Sequence, residues 1–197
     1  MKIIFLDMDG VLNCYDTTDR IVFPPWNQTF LGLDNDKVQL LSRLVQETGA
    51  KVIISSSWRE NFRPEELQKT LNERGFTGEV VGETPKSYEQ IGFGLPPKRG
   101  DRGDEIQAWL AANPGLESFV VIDDFKTRYL DMGRQVQTSM VTGFTQEHYD
   151  QALAILNVPL SIEVPNAKTR AAMEEAEQGG LPSFDTVSKL MADLKED

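Results

Sequence analysis

The sequence predicts an α/β fold, a Rossmann-like parallel sheet with helices on its faces, and three observations carry that expectation. Short apolar runs recur at 3–6, 52–54 and 119–122, and runs that are apolar at every position belong to strands buried on both faces. Stretches of helical periodicity separate them, the alternation that builds a sheet of parallel strands. Each run also ends in small polar or acidic residues: Asp7 and Asp9, Ser55 to Ser57, Asp123 and Asp124. Parallel sheets collect their sites at the carboxyl ends of strands, so this fold would bring groups far apart in sequence to one mouth.

Taken in order, Ile3-Ile4-Phe5-Leu6 is the first strand and opens directly onto Asp7-Met8-Asp9-Gly10. Residues 15–33, with Phe23-Pro24-Pro25-Trp26 and Gly32, read as irregular. Asp34 is placed to cap a helix in which Val38, Leu41, Leu44 and Val45 repeat at helical spacing until Gly49. Lys51 to Ile54 is the second strand, and Pro64 opens a helix lasting to about Arg74, with Gly75 as its stop. Glu79-Val80-Val81-Gly82 reads as a weak strand, and the Gly, Pro and Lys/Arg rich stretch 83–103 as a loop. Asp104 to Ala112 reads as a helix with Ile106, Trp109 and Leu110 inward. Phe119 to Ile122 is a further buried strand, Val136 to Met140 an edge strand and Thr145 to Leu156 a helix.

After Asn157 the character changes. Residues 158–164 alternate like a strand, Pro165-Asn166 starts a helical run to about Gln178, Gly179-Gly180 interrupts it, and an amphipathic helix runs from about Ser183 to Leu194. Two parts are therefore expected, 1–157 and a strand-helix-helix tail, 158–197. Residues 159–197 hold 4 basic and 8 acidic side chains, so the tail is acidic in its own right.

Length and charge narrow the function. A chain of 197 residues excludes two large domains. A net charge of −11 repels long nucleic acid in the absence of a local basic patch, so DNA binding is not predicted, and it favours basic partners or metal cations. One cysteine, Cys14, forms no intramolecular disulfide and fits a reducing compartment. The first residues are too poor in apolar side chains for a signal peptide and no run is long enough to span a membrane, which points to the cytoplasm. Trp58 and Trp109, at element edges, read as packing residues, and neither His148 nor Cys14 has an evident catalytic partner.

The chemistry concentrates at the strand ends. Asp7 and Asp9 are two residues apart, close enough for both carboxylates to face one phosphate beside a divalent cation, one as nucleophile and the other as proton donor to the leaving oxygen. Gly10 permits the tight turn that follows.

Asp7-Met8-Asp9-Gly10-Val11-Leu12 after an N-terminal strand resembles the opening motif of haloacid dehalogenase (HAD) superfamily phosphatases, and the resemblance extends over roughly residues 1–156. It implies a nucleophile at Asp7 that forms an aspartyl-phosphate, and a general acid/base at Asp9 whose backbone carbonyl also meets Mg2+. Ser55 then matches the hydroxyl that binds the transferring phosphoryl group, with Ser56 a second candidate, and Asp123 and Asp124 match the carboxylates that complete the Mg2+ shell with Asp7 and Asp9. The phosphate-neutralising base is open among Lys98, Arg99 and Arg102. Arg102 is favoured because Arg102-Gly103-Asp104-Glu105-Ile106 and Ser55-Ser56-Ser57-Trp58-Arg59 resemble the small HAD domains found with RNA-repair proteins. The implied reaction is phosphoryl transfer by positioning and charge neutralisation. With no segment long enough for a cap domain, the site should be open, which favours a large phosphorylated substrate such as a nucleic-acid end or a partner that supplies the lid, while a small nucleotide also fits.

Residues 163–197 resemble the C-terminal half of RelB/DinJ-type antitoxins, through Pro165-Asn166-Ala167, Met173, Ser183-Phe184-Asp185 and Leu190-Met191-Ala192-Asp193-Leu194. That resemblance implies a toxin-antitoxin system in which Val164, Met173, Phe184, Val187, Leu190, Met191 and Leu194 bind a small basic, RelE/YafQ-like mRNA-cleaving ribonuclease. The ribbon-helix-helix segment usual in such antitoxins is replaced by the HAD-like domain, so operator binding does not carry over. Two other readings stand beside the fused enzyme and antitoxin: a non-enzymatic antitoxin with the HAD fold as scaffold, and a nucleotide or nucleic-acid end phosphatase whose tail is structural.

Overall fold

The computed structural model describes residues 1–23, 28–89, 98–127 and 133–160. The chain divides into two units, Met1–Leu160 and Ser161–Asp197, and every described residue belongs to the first. Its centre is a five-stranded parallel sheet in the order β5-β4-β1-β8-β9, made of β1 (Lys2–Leu6), β4 (Lys51–Ile54), β5 (Val80–Glu83), β8 (Ser118–Asp123) and β9 (Gln135–Gln137). The expected α/β Rossmann-like sheet is thus the observed one.

The apolar runs follow from burial on both faces. Ile4 and Leu6 of β1 join Val52, Ile54, Val120 and Ile122 in a core shared with α1 (Asn35–Thr48), α2 (Pro64–Asn72) and α4 (Gln146–Leu156). Ile3 and Phe5 point the other way, into a smaller cluster with Ile53, Phe119, Val121 and Ile106 of α3 (Arg102–Ala112). The alternation within each strand feeds both layers. Trp109 meets the Phe5 ring edge-on at 5.3 Å between centroids, the packing role expected of it.

Helix ends follow the capping logic read from the sequence. Asp34 accepts the Asp36 N–H, and Gly49 closes α1 in the left-handed conformation at φ 68°. Helix α3 begins at Arg102, two residues before the expected start, because Asp101 accepts the Gly103 N–H at 2.8 Å and so serves as the cap. Among the described residues, no helix is long and apolar enough to cross a membrane.

Three expectations are corrected. Residues 15–33 are not irregular throughout: β2 (Arg20–Phe23) and β3 (Gln28–Leu31) pair antiparallel. The expected loop 83–103 contains a short antiparallel pair, β6 (Tyr88–Glu89) with β7 (Lys98–Arg99), whose two-residue ladder is too short to carry a period. The strand expected over 158–164 is absent at Val158 to Leu160, where the Leu160 N–H instead donates to the Glu117 carbonyl at 2.8 Å. The rest of that strand and the two tail helices lie outside the described residues.

Candidate active site

Strand register assembles the site. Leu6 of β1 sits opposite Ile54 of β4 on one side and Ile122 of β8 on the other, so the next residues along, Asp7, Ser55 and Asp123, finish three adjacent strands side by side. The ladder continues past the strand ends: Ser55 N–H donates to the Leu6 carbonyl at 2.8 Å and Asp7 N–H to the Ile122 carbonyl at 3.0 Å.

The turn after β1 has a steric reason for its glycine. Gly10 adopts φ 70°, and a Cβ there would lie 2.6 Å from Asp124 Oδ2, so any other residue would be strained and would also push that carboxylate away. Thr138 Oγ1 donates to the Gly10 carbonyl at 2.7 Å and Asn13 Oδ1 accepts the Gly10 N–H at 3.0 Å, which fixes the turn from both sides. Asn13 Nδ2 also donates to Asp9 Oδ1, and Trp58 Nε1 to Asp9 Oδ2, each at 2.9 Å. The Asp9 carboxylate is therefore held by two side chains beside the Asp7 strand end.

Asp7, Asp123 and Asp124 each offer a carboxylate oxygen, and these oxygens lie within 4.8 Å of one another. Arg102 Nη1 donates to Asp7 Oδ2 at 2.6 Å and also to Asp123 Oδ2. Burial alone would lower the Arg102 pKa, but the charges of Asp7 and Asp123 outweigh it and hold the guanidinium protonated above its ordinary value. Burial and then the Asp7 charge push the Asp123 carboxyl up to about 7 despite Arg102, and the same two causes raise Asp124. Three crowded carboxylates with one guanidinium are a hard-oxygen donor set short of positive charge, and the residues present fit a divalent cation.

The loop after β4 is built differently. Ser55 Oγ is buried and finds no hydrogen-bond partner among the described residues, an uncommon state for a hydroxyl. Ser56 Oγ accepts the Trp58 N–H at 3.3 Å and caps the 3-10 turn Ser57–Glu60. Trp58 is 2 % exposed and packs as expected, while its indole also reaches Asp9.

Next to it, Arg59 forms an ion pair with Glu105 in which both side chains are wholly buried, and its Nη1 donates to the Thr84 carbonyl at 2.9 Å. Glu105 Oε1 also accepts the Ser87 N–H at 3.0 Å. This pair ties the β4 loop, the segment after β5 and the first turn of α3 together, so it positions Ser55 and Arg102 relative to each other.

The structure thus brings Asp7, Ser55, Arg102, Asp123 and Asp124 to one mouth with Asp9 beside it, while Ser56 is turned to a cap. The Asp9 carboxylate is not among the three clustered acids. The side chains of Lys98 and Arg99 lie outside what the structure describes, as do Val164, Met173, Phe184, Val187, Leu190, Met191 and Leu194. Asn13, Arg59, Glu105 and Thr138 support the site without having been singled out as site residues. Asn13, three residues past the glycine, had a local turn signal; Arg59 and Glu105, 46 positions apart, had no local signal and stood out only as members of the two stretches that resemble RNA-repair HAD domains.

A family model described as the HAD domain in Swiss Army Knife RNA repair proteins matches residues 3–149. No curated protein and no solved structure matches the chain. The family match spans the sheet, the strand-end acids and Arg102, and stops short of residues 158–197.

Proposed function

The chain belongs to the family of HAD domains found in Swiss Army Knife RNA repair proteins, and from that membership we propose that it is a phosphohydrolase acting through an aspartyl-phosphate on Asp7. The observation that carries the reading is the bridge from Arg102 to Asp7 and Asp123 beside the Asp124 carboxylate, a cation already placed on the group that would attack.

In the first step an Asp7 carboxylate oxygen bonds to phosphorus as the ester P–O bond breaks, and Asp9 gives its proton to the leaving oxygen. In the second, water attacks the phosphorus, Asp9 takes a proton back, and inorganic phosphate leaves with Asp7 restored. Arg102 neutralises the phosphoryl oxygens, and the Ser55 O–H, without a partner among the described residues, donates to one of them. Trp58 and Asn13 fix the Asp9 carboxylate for this transfer by donating to its two oxygens.

Mg2+ is the cofactor we assign, with Asp7, Asp123, Asp124 and the backbone of Asp9 as its ligands; when bound it supplies charge neutralisation for the transferring group. The description of the family favours a phosphorylated RNA end as substrate, a small nucleotide being the alternative. The lone cysteine fits a reducing compartment, and we place the protein in the cytoplasm. Phosphate release from 3′- and 5′-phosphorylated oligonucleotides, stopped by EDTA and restored by Mg2+, tests the reading; release that ignores EDTA would remove the metal from it.

For residues 158–197 we infer a toxin-binding segment directed at a small basic ribonuclease. The support is the residue pattern from Val164 to Leu194 and the acidic charge of the segment. Neutralisation of such a ribonuclease should survive Asp7→Asn and be lost when residues 159–197 are deleted. Inhibition by the shortened chain would overturn the assignment.

A further inference from the structure

Resting on the phosphohydrolase reading, we propose that Phe125 and Lys126 form the subsite for the leaving group and that this group is a nucleotide, its base stacked on the Phe125 ring and its adjoining phosphate on Lys126. Phe125 directly follows the Asp123-Asp124 pair, yet the residue is 72 % exposed, whereas Phe5, Phe62, Phe76, Phe119 and Phe144 are buried. A cleft of about 290 Å3 is lined by Gly100, Asp101, Arg102, Phe125, Lys126 and Thr127. Arg102 belongs to both places: it lines this cleft and bonds Asp7, so the cleft lies one side chain from the attacking carboxylate.

The ring is presented on a fixed support. Gln135 Oε1 accepts from Thr127 N–H at 3.0 Å and from Thr127 Oγ1 at 2.8 Å, while its Nε2 donates to the Phe125 carbonyl at 2.7 Å. The Phe125 N–H in turn donates to Asp123 Oδ1 at 2.9 Å. With the backbone held on both sides, a ligand orders only the two side-chain torsions of the ring, a small entropic cost.

The charge of the cleft selects the same ligand. Asp101 Oδ1 accepts the Gly103 N–H at the start of α3, which turns that carboxylate toward the helix end. Arg102 is paired with Asp7 and Asp123, whereas Lys126 forms no ion pair among the described residues, so Lys126 is the cation of this cleft left to meet a phosphate. A flat apolar face beside a cation matches a base with its phosphate, and every nucleobase has a face to stack. A sugar phosphate without a base would leave the ring in water.

The test compares kcat/KM on a 3′-phosphorylated dinucleotide and on β-glycerol phosphate for the wild type, Phe125→Ala, Phe125→Trp and Lys126→Ala. Phe125→Ala should lose about tenfold or more on the dinucleotide, mainly through KM, while staying within about twofold of wild type on glycerol phosphate. Phe125→Trp should keep the dinucleotide rate, and Lys126→Ala should lose in the direction of Phe125→Ala. Equal losses on both substrates, or no loss on the dinucleotide, would overturn the subsite and leave the phosphohydrolase standing. No release from either substrate by the wild type would overturn the phosphohydrolase reading itself.

Discussion

Arg102 Nη1 donates to Asp7 Oδ2 at 2.6 Å across 95 positions of sequence, and the same nitrogen donates to Asp123. Asp7 is 4 % exposed and Asp123 fully buried, so this guanidinium is what makes two neighbouring carboxylates tolerable in the free protein. Arg102→Ala should therefore cost about 3 kcal/mol of stability and about 100-fold or more in kcat/KM. Because the bare carboxylates then attract a dication more strongly, the rise in Tm caused by Mg2+ should be larger in the variant than in wild type. An equal or smaller rise would mean that the cation binds elsewhere.

Ser55 separates stability from activity. Its Oγ is buried without a partner among the described residues, so Ser55→Ala removes an unsatisfied polar group and should leave stability unchanged or raise it by up to about 1 kcal/mol. Phosphate release should nonetheless fall by about 10-fold to 100-fold if the hydroxyl meets a phosphoryl oxygen. Urea midpoints measured beside kcat/KM check both signs, and a stability loss with unchanged rate would contradict both.

The Arg59–Glu105 pair should behave as a structural clamp. Glu105→Ala takes the Glu105 carboxylate away from a wholly buried guanidinium and should cost about 3–5 kcal/mol, while replacing both residues with apolar ones should recover much of that. Denaturant midpoints of the single and double variants decide it. A double variant no better than the single one would place the energy in the hydrogen bonds to Thr84 and Ser87 instead.

His148 supplies a pH dependence with a definite sign. Its Nδ1 accepts the Thr145 N–H at 3.1 Å and closes the capping box of α4, an acceptor role open to the neutral ring. Burial lowers its pKa below the ordinary value. A group with a lowered folded pKa stabilises above its unfolded value, near 6.5, and loses that contribution as the pH falls. His148→Gln keeps an acceptor that does not titrate. The Tm difference, wild type minus variant, should become more negative between pH 8 and pH 5.5, and a constant difference would contradict the assignment.

The parts of the fold legible in the sequence were those written in local pattern. Ile3 to Leu6, Lys51 to Ile54 and Phe119 to Ile122 are apolar because both faces of the sheet are covered, and Asp34 and Gly49 mark α1 by capping chemistry. The meeting of Asp7, Ser55 and Asp123 was legible too, since strand ends in a parallel sheet share an edge. The β2–β3 and β6–β7 pairs escaped because short ladders beside Pro and Gly carry no period. The Arg59–Glu105 and Arg102–Asp7 pairs join segments by tertiary contact, which no local rule reveals, although the residues of both pairs lie in stretches that already resembled one family.

The most direct measurement of the central claim is covalent capture at Asp7. Enzyme mixed with Mg2+ and a substrate carrying a labelled terminal phosphoryl group is quenched in acid, digested, and the peptide containing Asp7 is analysed by mass spectrometry. Label on Asp7 in the wild type and none in Asp7→Asn is the expected result, with phosphate release lost in the same variant. Phosphate release by the wild type that persists undiminished in Asp7→Asn, with no label on the peptide, would contradict the aspartyl-phosphate scheme.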